Sequence, residues 1–217
     1  MKNVQGVWLP DREQHMVDVM TGPRALVVDG AITYQYRKLQ RAMEFVPQDR
    51  RRRCIDIGGH VGTWAMHLVK IFRDVEAFEP LELHREIFPH NVKGTNWRLH
   101  PFALGDKPGR VAIREMADST GSAHVHGDGD IEMRTLDSFG FTEVDFIKID
   151  VEGFELQVVQ GAEQTIRANR PIMVVEQKGR EVSNYSEAQR DQAVSWLEKH
   201  LGMRRLDCMS GDWMMGW

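Results

Sequence analysis

Two acids and a group of glycines stand where a nucleoside could be held. Asp56 lies two residues before Gly58-Gly59-His60-Val61-Gly62, and Glu79 closes the next apolar run, Val75-Glu76-Ala77-Phe78. Close-set glycines let backbone approach a ligand, and an acid ending a second strand accepts hydrogen bonds from ribose hydroxyls. Further on, Asp150 and Glu152 follow directly on the apolar run 144–149. Carboxylates placed there can take the proton of an attacking hydroxyl, or hold a divalent metal that acidifies it.

The glycine spacing separates two kinds of nucleoside. A dinucleotide fold uses G-x-G-x-x-G to seat a pyrophosphate at a helix N-terminus, and that spacing is missing here. Asp56 would repel a phosphate and suits an ammonium group. S-adenosylmethionine carries an amino-acid end, a sulfonium, a ribose and an adenine, so an acid near its ammonium and another at its ribose match that layout. The competing reading makes Gly58 and Gly62 glycines of helix–sheet packing.

The elements that must position these residues alternate. Apolar residues Tyr36, Leu39, Met43 and Val46 recur at helical spacing and predict a helix over 33–46. Strands are expected near 53–57, 75–78, 98–102, 144–150 and 171–177. Helices are expected over 63–72, 83–92 and 153–168, the last interrupted at Gly161. A capping box at Ser186-Glu187-Ala188-Gln189 opens a helix that stops at Gly202, and the tail around Ser210-Gly211 suits an antiparallel hairpin. Residues 1–30 read as irregular. Alternation of this kind means an α/β fold, a mostly parallel sheet with helices on both faces. Residues 1–50 form an extension with one helix, part of the same domain, and 51–217 form the main unit.

Composition narrows the rest. The chain has 217 residues and a formal net charge of -4, which favours neither nucleic acid nor an anionic surface. No apolar run approaches the ~18 residues of a membrane span, and residues 1–14 lack the layout of a secretion signal. Cys54 and Cys208 are the only cysteines; both read as buried reduced thiols of a cytoplasmic protein.

Taken together, Ile55-Asp56-Ile57-Gly58-Gly59-His60-Val61-Gly62, Ala77-Phe78-Glu79-Pro80, Ala103-Leu104-Gly105-Asp106, Thr135-Leu136-Asp137-Ser138-Phe139 and Asp145-Phe146-Ile147-Lys148-Ile149-Asp150-Val151-Glu152-Gly153-Phe154-Glu155 resemble the FkbM family of S-adenosylmethionine-dependent methyltransferases. The resemblance runs from about 53 to 178. It implies a class I methyltransferase (Rossmann-like) fold with a C-terminal antiparallel hairpin, and O-methylation of a sugar or other small-molecule hydroxyl, free or glycan-linked. It places Asp56, Gly58, His60 and Gly62 on the amino-acid and ribose side of the cofactor, Glu79 at the ribose, and Phe102, Ala103 and Leu104 by the adenine. Asp150 and Glu152 are the candidate catalytic bases, with a divalent metal as their alternative use. Two rival readings are a nicotinamide-dinucleotide oxidoreductase and a catalytically silent adenosine-ligand-binding protein.

Weaker signals remain. His124, His126, Asp128 and Asp130 alternate and share a face if extended, which suits a metal; a solvated hairpin is the simpler reading. Arg50-Arg51-Arg52-Arg53 precedes the first strand, away from any cleft, and reads as a solvated basic loop. The competing reading of Glu152 is an ion pair with Lys148 at a strand end; Glu155 reads as a helix-start acid. Tyr34, Gln35 and Arg37 either fold over the ligand or form helix surface. Trp8, Trp213 and Trp217 read as edge packing.

Overall fold

The computed structural model describes residues 1–116, 119–177 and 191–217. Seven strands build the central sheet: β1 (Arg53–Ile57), β2 (Asp74–Phe78), β3 (Trp97–His100), β4 (Val144–Ile149), β5 (Ile172–Glu176), β6 (Arg204–Met209) and β7 (Asp212–Gly216). Their spatial order is β3-β2-β1-β4-β5-β7-β6. The first five pair in parallel, and β7 joins β5 antiparallel with β6 outside it. This is the class I methyltransferase arrangement, terminal hairpin included.

Helices cover both faces: α1 (His15–Thr21), α2 (Tyr36–Met43), α3 (Ala65–Leu68), α4 (Glu82–Asn91), α5 (Glu155–Gln160), α6 (Glu163–Asn169) and α7 (Gln192–Trp196). The central strands alternate between two buried faces. Ile55, Ile57, Ile147 and Ile149 pack with Val158, Ile166 and Val194 from α5, α6 and α7. Cys54, Phe146 and Val174 pack on the other face with Leu39, Leu68 and Phe72. Gly161 interrupts the helix between α5 and α6 because its Cα meets the Gly105 carbonyl; a Cβ there would lie 1.9 Å from that oxygen. Gly202 ends the later helix at φ 72°, as expected. The Ser186 capping box lies outside the described residues.

Residues 1–30 are not irregular. Lys2–Val4 pairs with Val7–Leu9, and Val27–Val28 with Ala31–Ile32. The turns are Gln5-Gly6 and Asp29-Gly30, with φ 45° and 93°, then 53° and 80°. Two successive positive φ values make the two-residue turn that suits strand twist, so Gly30 makes a hairpin rather than breaking structure. Val7, Leu9, Met16 and Met20 share a core cluster with Val61, Ala65, Ala77 and Phe88. Regular α-helix after the glycine turn is limited to α3, because the surrounding bonds mix three- and four-residue spacing.

The arginine run is a clamp. Arg52 donates to buried Asp145 through N, Nε and Nη2 at 3.0, 2.8 and 2.6 Å, and Arg50 joins at 3.2 Å. Burial pushes the Asp145 carboxyl up, but these bonds hold it below its ordinary pKa. Arg53 pairs with Asp74 and Glu76. The run ties the N-terminal ends of β1, β2 and β4, opposite the cleft. Cys54 is buried, whereas Cys208 is exposed on outer strand β6, correcting the expectation for it. No helix among the described residues is long and apolar enough to cross a membrane.

Candidate active site

The C-terminal ends of β1, β2 and β4 open onto two adjoining clefts. The first, of about 620 Å³, is lined by Glu79, His84, Phe102, Ala103, Leu104, Ile113, Val125 and Phe154. The second, of about 700 Å³, is lined by Tyr34, Gln35, Thr63, Trp64, Lys148 and Glu176. Gly58, His60, Gly121, Asp150 and Glu152 line both and mark where they meet.

The glycine turn is compelled by close packing. Gly58 has φ 77°, and a Cβ on it would lie 1.9 Å from the Asp150 carbonyl oxygen. Gly58 and Gly59 both donate N–H to the Phe78 carbonyl at 3.0 Å, which ties the turn to β2. Gly62 faces α4 instead: a Cβ there would lie 2.5 Å from Val92. It is a packing glycine and lines neither cleft.

Glu79 holds the turn from the other side. Its Oε2 accepts the His60 N–H at 2.8 Å; its Oε1 accepts the Leu81 N–H at 2.9 Å and contacts His84 Nδ1 at 3.2 Å. A carboxylate offers about four acceptor positions; these contacts use three, and Glu79 itself lines the first cleft. The nearby walls, Phe102, Ala103, Leu104, Ile113 and Val125, are apolar and suit a flat base. The residues present therefore fit an adenosine.

Asp56 differs from expectation. It is fully buried beneath the turn and lines neither cleft. Register explains this, because Asp56 sits opposite Lys148 on the neighbouring strand. The Lys148 Nζ lies 3.5 Å from Asp56 and 3.4 Å from Asp150, and donates to the Gly58 carbonyl at 3.0 Å. Burial pushes the Asp56 carboxyl up to about 6, against the pull of Lys148. Burial also works against the Lys148 ammonium, but Asp150 and Asp56 outweigh it and raise its pKa. Lys148 thus pairs with Asp56 and Asp150, not with Glu152.

The acids that face the second cleft are Asp150, Glu152 and Glu176. Each offers a carboxylate oxygen within 4.8 Å of the others. Such a set suits an ammonium group, and its spacing also admits a divalent cation, with the Lys148 ammonium already beside Asp150. Burial, then Asp150 and Glu176, push the Tyr34 phenol up. Glu152 adopts φ 52°, a left-handed conformation unusual for a non-glycine residue. Among the described residues, the His124–Asp130 run gathers no comparable set. Trp8, Trp213 and Trp217 pack against core clusters away from the clefts, and Arg37 is exposed.

Glu155 fixes the loop that carries Glu152. It accepts N–H bonds from Gly153 at 2.9 Å and Val151 at 3.4 Å. Burial raises its pKa from 4.5 to about 7 against those bonds. A carboxyl raised on folding adds no penalty at low pH, where both states are protonated; its ionisation costs stability increasingly as pH rises from 4.5 to about 7. Glu155→Gln keeps the accepting oxygen and removes that cost. Its stability relative to wild type is expected to improve by roughly 3 kcal/mol between about pH 4 and about pH 7.5. Urea unfolding at both pH values checks this; a pH-independent difference would refute it.

Two residues were not singled out from the sequence. Glu13, fully buried, accepts the Met16 N–H at 2.8 Å and both the N–H and hydroxyl of Thr120 at 2.6 Å. His84 stands between Glu79 and Glu115, each 3.2 Å away. Glu13 falls in a polar stretch with no periodic signal, and its partner is 107 residues away.

A family model described as the methyltransferase FkbM domain matches residues 56–205. A solved FkbM methyltransferase from Methylobacillus flagellatus KT is 16% identical, with a TM-score of 0.49 over 76% of this chain and 43% of that one, so this chain spans less than half of its length. A Staphylococcus aureus structure assigned as a caffeoyl-CoA O-methyltransferase is 11% identical, with a TM-score of 0.54 over 93% and 90% of the two chains. A Klebsiella pneumoniae structure assigned as an O-methyltransferase is 14% identical, with a TM-score of 0.52 over 90% and 82%. At these identities the likeness concerns the fold. No curated protein matches.

Proposed function

The chain belongs to the methyltransferase FkbM family, an S-adenosylmethionine-dependent family, and from that premise we propose that it methylates a hydroxyl of a sugar or another small molecule, free or glycan-linked. The observation that carries this is the meeting of the two clefts at Asp150 and Glu152. The first cleft takes the adenosine, with Glu79 at the ribose and Phe102, Ala103 and Leu104 along the base. The second takes the amino-acid end and, past it, the acceptor.

S-adenosylmethionine supplies a methyl group on a sulfonium, an electrophile that needs no further activation. What remains for the chain is alignment and proton management. Asp150 and Glu152 stand at the junction and are the candidates to accept the proton of the attacking hydroxyl. Lys148 sits beneath Asp150 and fixes its position. Tyr34 and Trp64 wall the second cleft and limit water there.

The test is a panel of sugar and small-molecule acceptors incubated with deuteromethyl-labelled cofactor and read by mass spectrometry. Label on a hydroxyl oxygen is expected. Label found only on nitrogen or carbon would overturn the reading. With a working hydroxyl acceptor, the residue that serves as base shows itself in Asp150→Asn or Glu152→Gln as a kcat loss of about 10²–10⁴ measured at saturating cofactor.

A further inference from the structure

A chain of three polar side chains, buried at Glu13 and Thr120 and half-buried at His60, runs from the N-terminal segment to the glycine turn. Glu13 receives both the N–H and the hydroxyl hydrogen of Thr120. Thr120 Oγ lies 2.9 Å from His60 Nε2. The N-terminal segment precedes the stretch that matches the family model, so the anchor of this chain is additional to the family motif.

Hydrogen-bond inventory fixes the direction. A carboxylate accepts only, and a hydroxyl has one hydrogen to give. Thr120 gives that hydrogen to Glu13, so towards His60 its oxygen can only accept. His60 Nε2 must therefore carry a hydrogen, which leaves Nδ1 as the bare acceptor of a neutral ring. Among the described residues Nδ1 has no hydrogen-bond partner, and it is not sealed from solvent. The same ring lines both clefts, beside Asp150 and Glu152.

We propose that Glu13 and Thr120 are positioning residues that hold His60 as its Nε2–H tautomer, so that Nδ1 stands in the cleft as an acceptor for the α-ammonium of S-adenosylmethionine. This rests on reading the clefts as the cofactor site. An ammonium has three donors and no acceptor. The wall it would meet, with Asp150, Glu152, Glu176 and His60 Nδ1, supplies acceptors. Two observations agree with an acceptor role. Burial, with His84 and Lys148 nearby, keeps the His60 ring well below its ordinary pKa against the pull of Asp150, so it stays unprotonated. Hydrogen bonds from Met16 and Thr120 hold the Glu13 carboxyl below its ordinary value despite burial, so it stays an acceptor.

Nitrogen NMR of histidine-labelled protein reads the tautomer without any ligand. The expected result is a protonated Nε2 and a bare Nδ1 for His60 in the wild type, and loss of that single tautomer in Glu13→Gln. Calorimetry then compares two probes, S-adenosylhomocysteine and 5′-methylthioadenosine, the second of which lacks the amino-acid end. Glu13→Gln and Thr120→Val are each expected to weaken S-adenosylhomocysteine about tenfold, or ~1.4 kcal/mol, while methylthioadenosine affinity holds. Thr120→Ser, which keeps the hydroxyl, restores what Thr120→Val loses. An Nδ1–H tautomer in the wild type overturns the proposal even if every variant misfolds. So does an equal loss for both probes, or no loss for either. A wild-type protein that binds neither probe refutes the cofactor-site reading and this inference with it; one that binds S-adenosylhomocysteine yet carries Nδ1–H refutes the inference alone.

Discussion

Lys148→Met is expected to lower folding stability by about 3–5 kcal/mol, because it strands a buried carboxylate. Asp56 is fully buried, and Lys148 is the cation beside it at 3.5 Å. Methionine fills much the same space, so the loss reports charge more than volume. In a chain of this length each kcal/mol moves Tm by roughly 2–4 °C, giving a fall of roughly 6–20 °C in a thermal scan. Adding Asp56→Asn should recover part of the loss, since it removes the stranded charge; an additive double variant would show that the two groups do not act as a pair. A fall of under about 1 kcal/mol would mean that Lys148 does not neutralise Asp56. Cofactor affinity should drop as well, because the same Nζ holds the Gly58 carbonyl at 3.0 Å.

Gly58→Ala should abolish measurable S-adenosylhomocysteine binding, a loss of more than about a hundredfold, or ~2.7 kcal/mol. Two costs coincide there. The backbone stands at φ 77°, which costs a side-chain-bearing residue about 1 kcal/mol or more. The new Cβ would also lie 1.9 Å from the Asp150 carbonyl oxygen, so β1 and β4 must part where the two clefts meet. Gly202→Ala is the control, with φ 72° and nothing within 4 Å. It carries the strain without the collision, so the difference between the two variants isolates the close approach. Calorimetry gives affinity and thermal unfolding gives stability. If Gly58→Ala bound the ligand as tightly as wild type, the turn would not be the floor of the site.

What could be read from the sequence was local. The run Cys54-Ile55-Asp56-Ile57 into Gly58 states its strand and turn within a few residues. The tail hairpin around Ser210-Gly211 does the same. Asp29-Gly30 was missed and read as part of an irregular stretch, because the strands beside it, Val27-Val28 and Ala31-Ile32, are too short to show alternation. Pairings across distance were illegible. Asp56 looked like a ligand group because an acid before glycines suits an ammonium, yet register on β4 sets Lys148 against it, and the acids that do face the cleft come from the ends of β4 and β5. The four arginines appeared solvated until Asp145, over ninety residues away, was seen to take hydrogen bonds from two of them. Glu13 gave no sign, because its role exists only once strand Ser119–Val125 is folded beside α1.

His15 and Met16 help to wall the second cleft, and Glu13 anchors the strand above it. The recognisable stretch, 56–205, contains none of the three. A chain begun at Val17 would keep the central sheet, the glycine turn and the junction acids. It would also leave one side of the second cleft standing open and, if Glu13 fixes the tautomer as proposed, its histidine free to swap hydrogens between nitrogens. The opening residues, so easily discarded as a leader to the real domain, are a working part of the enclosure.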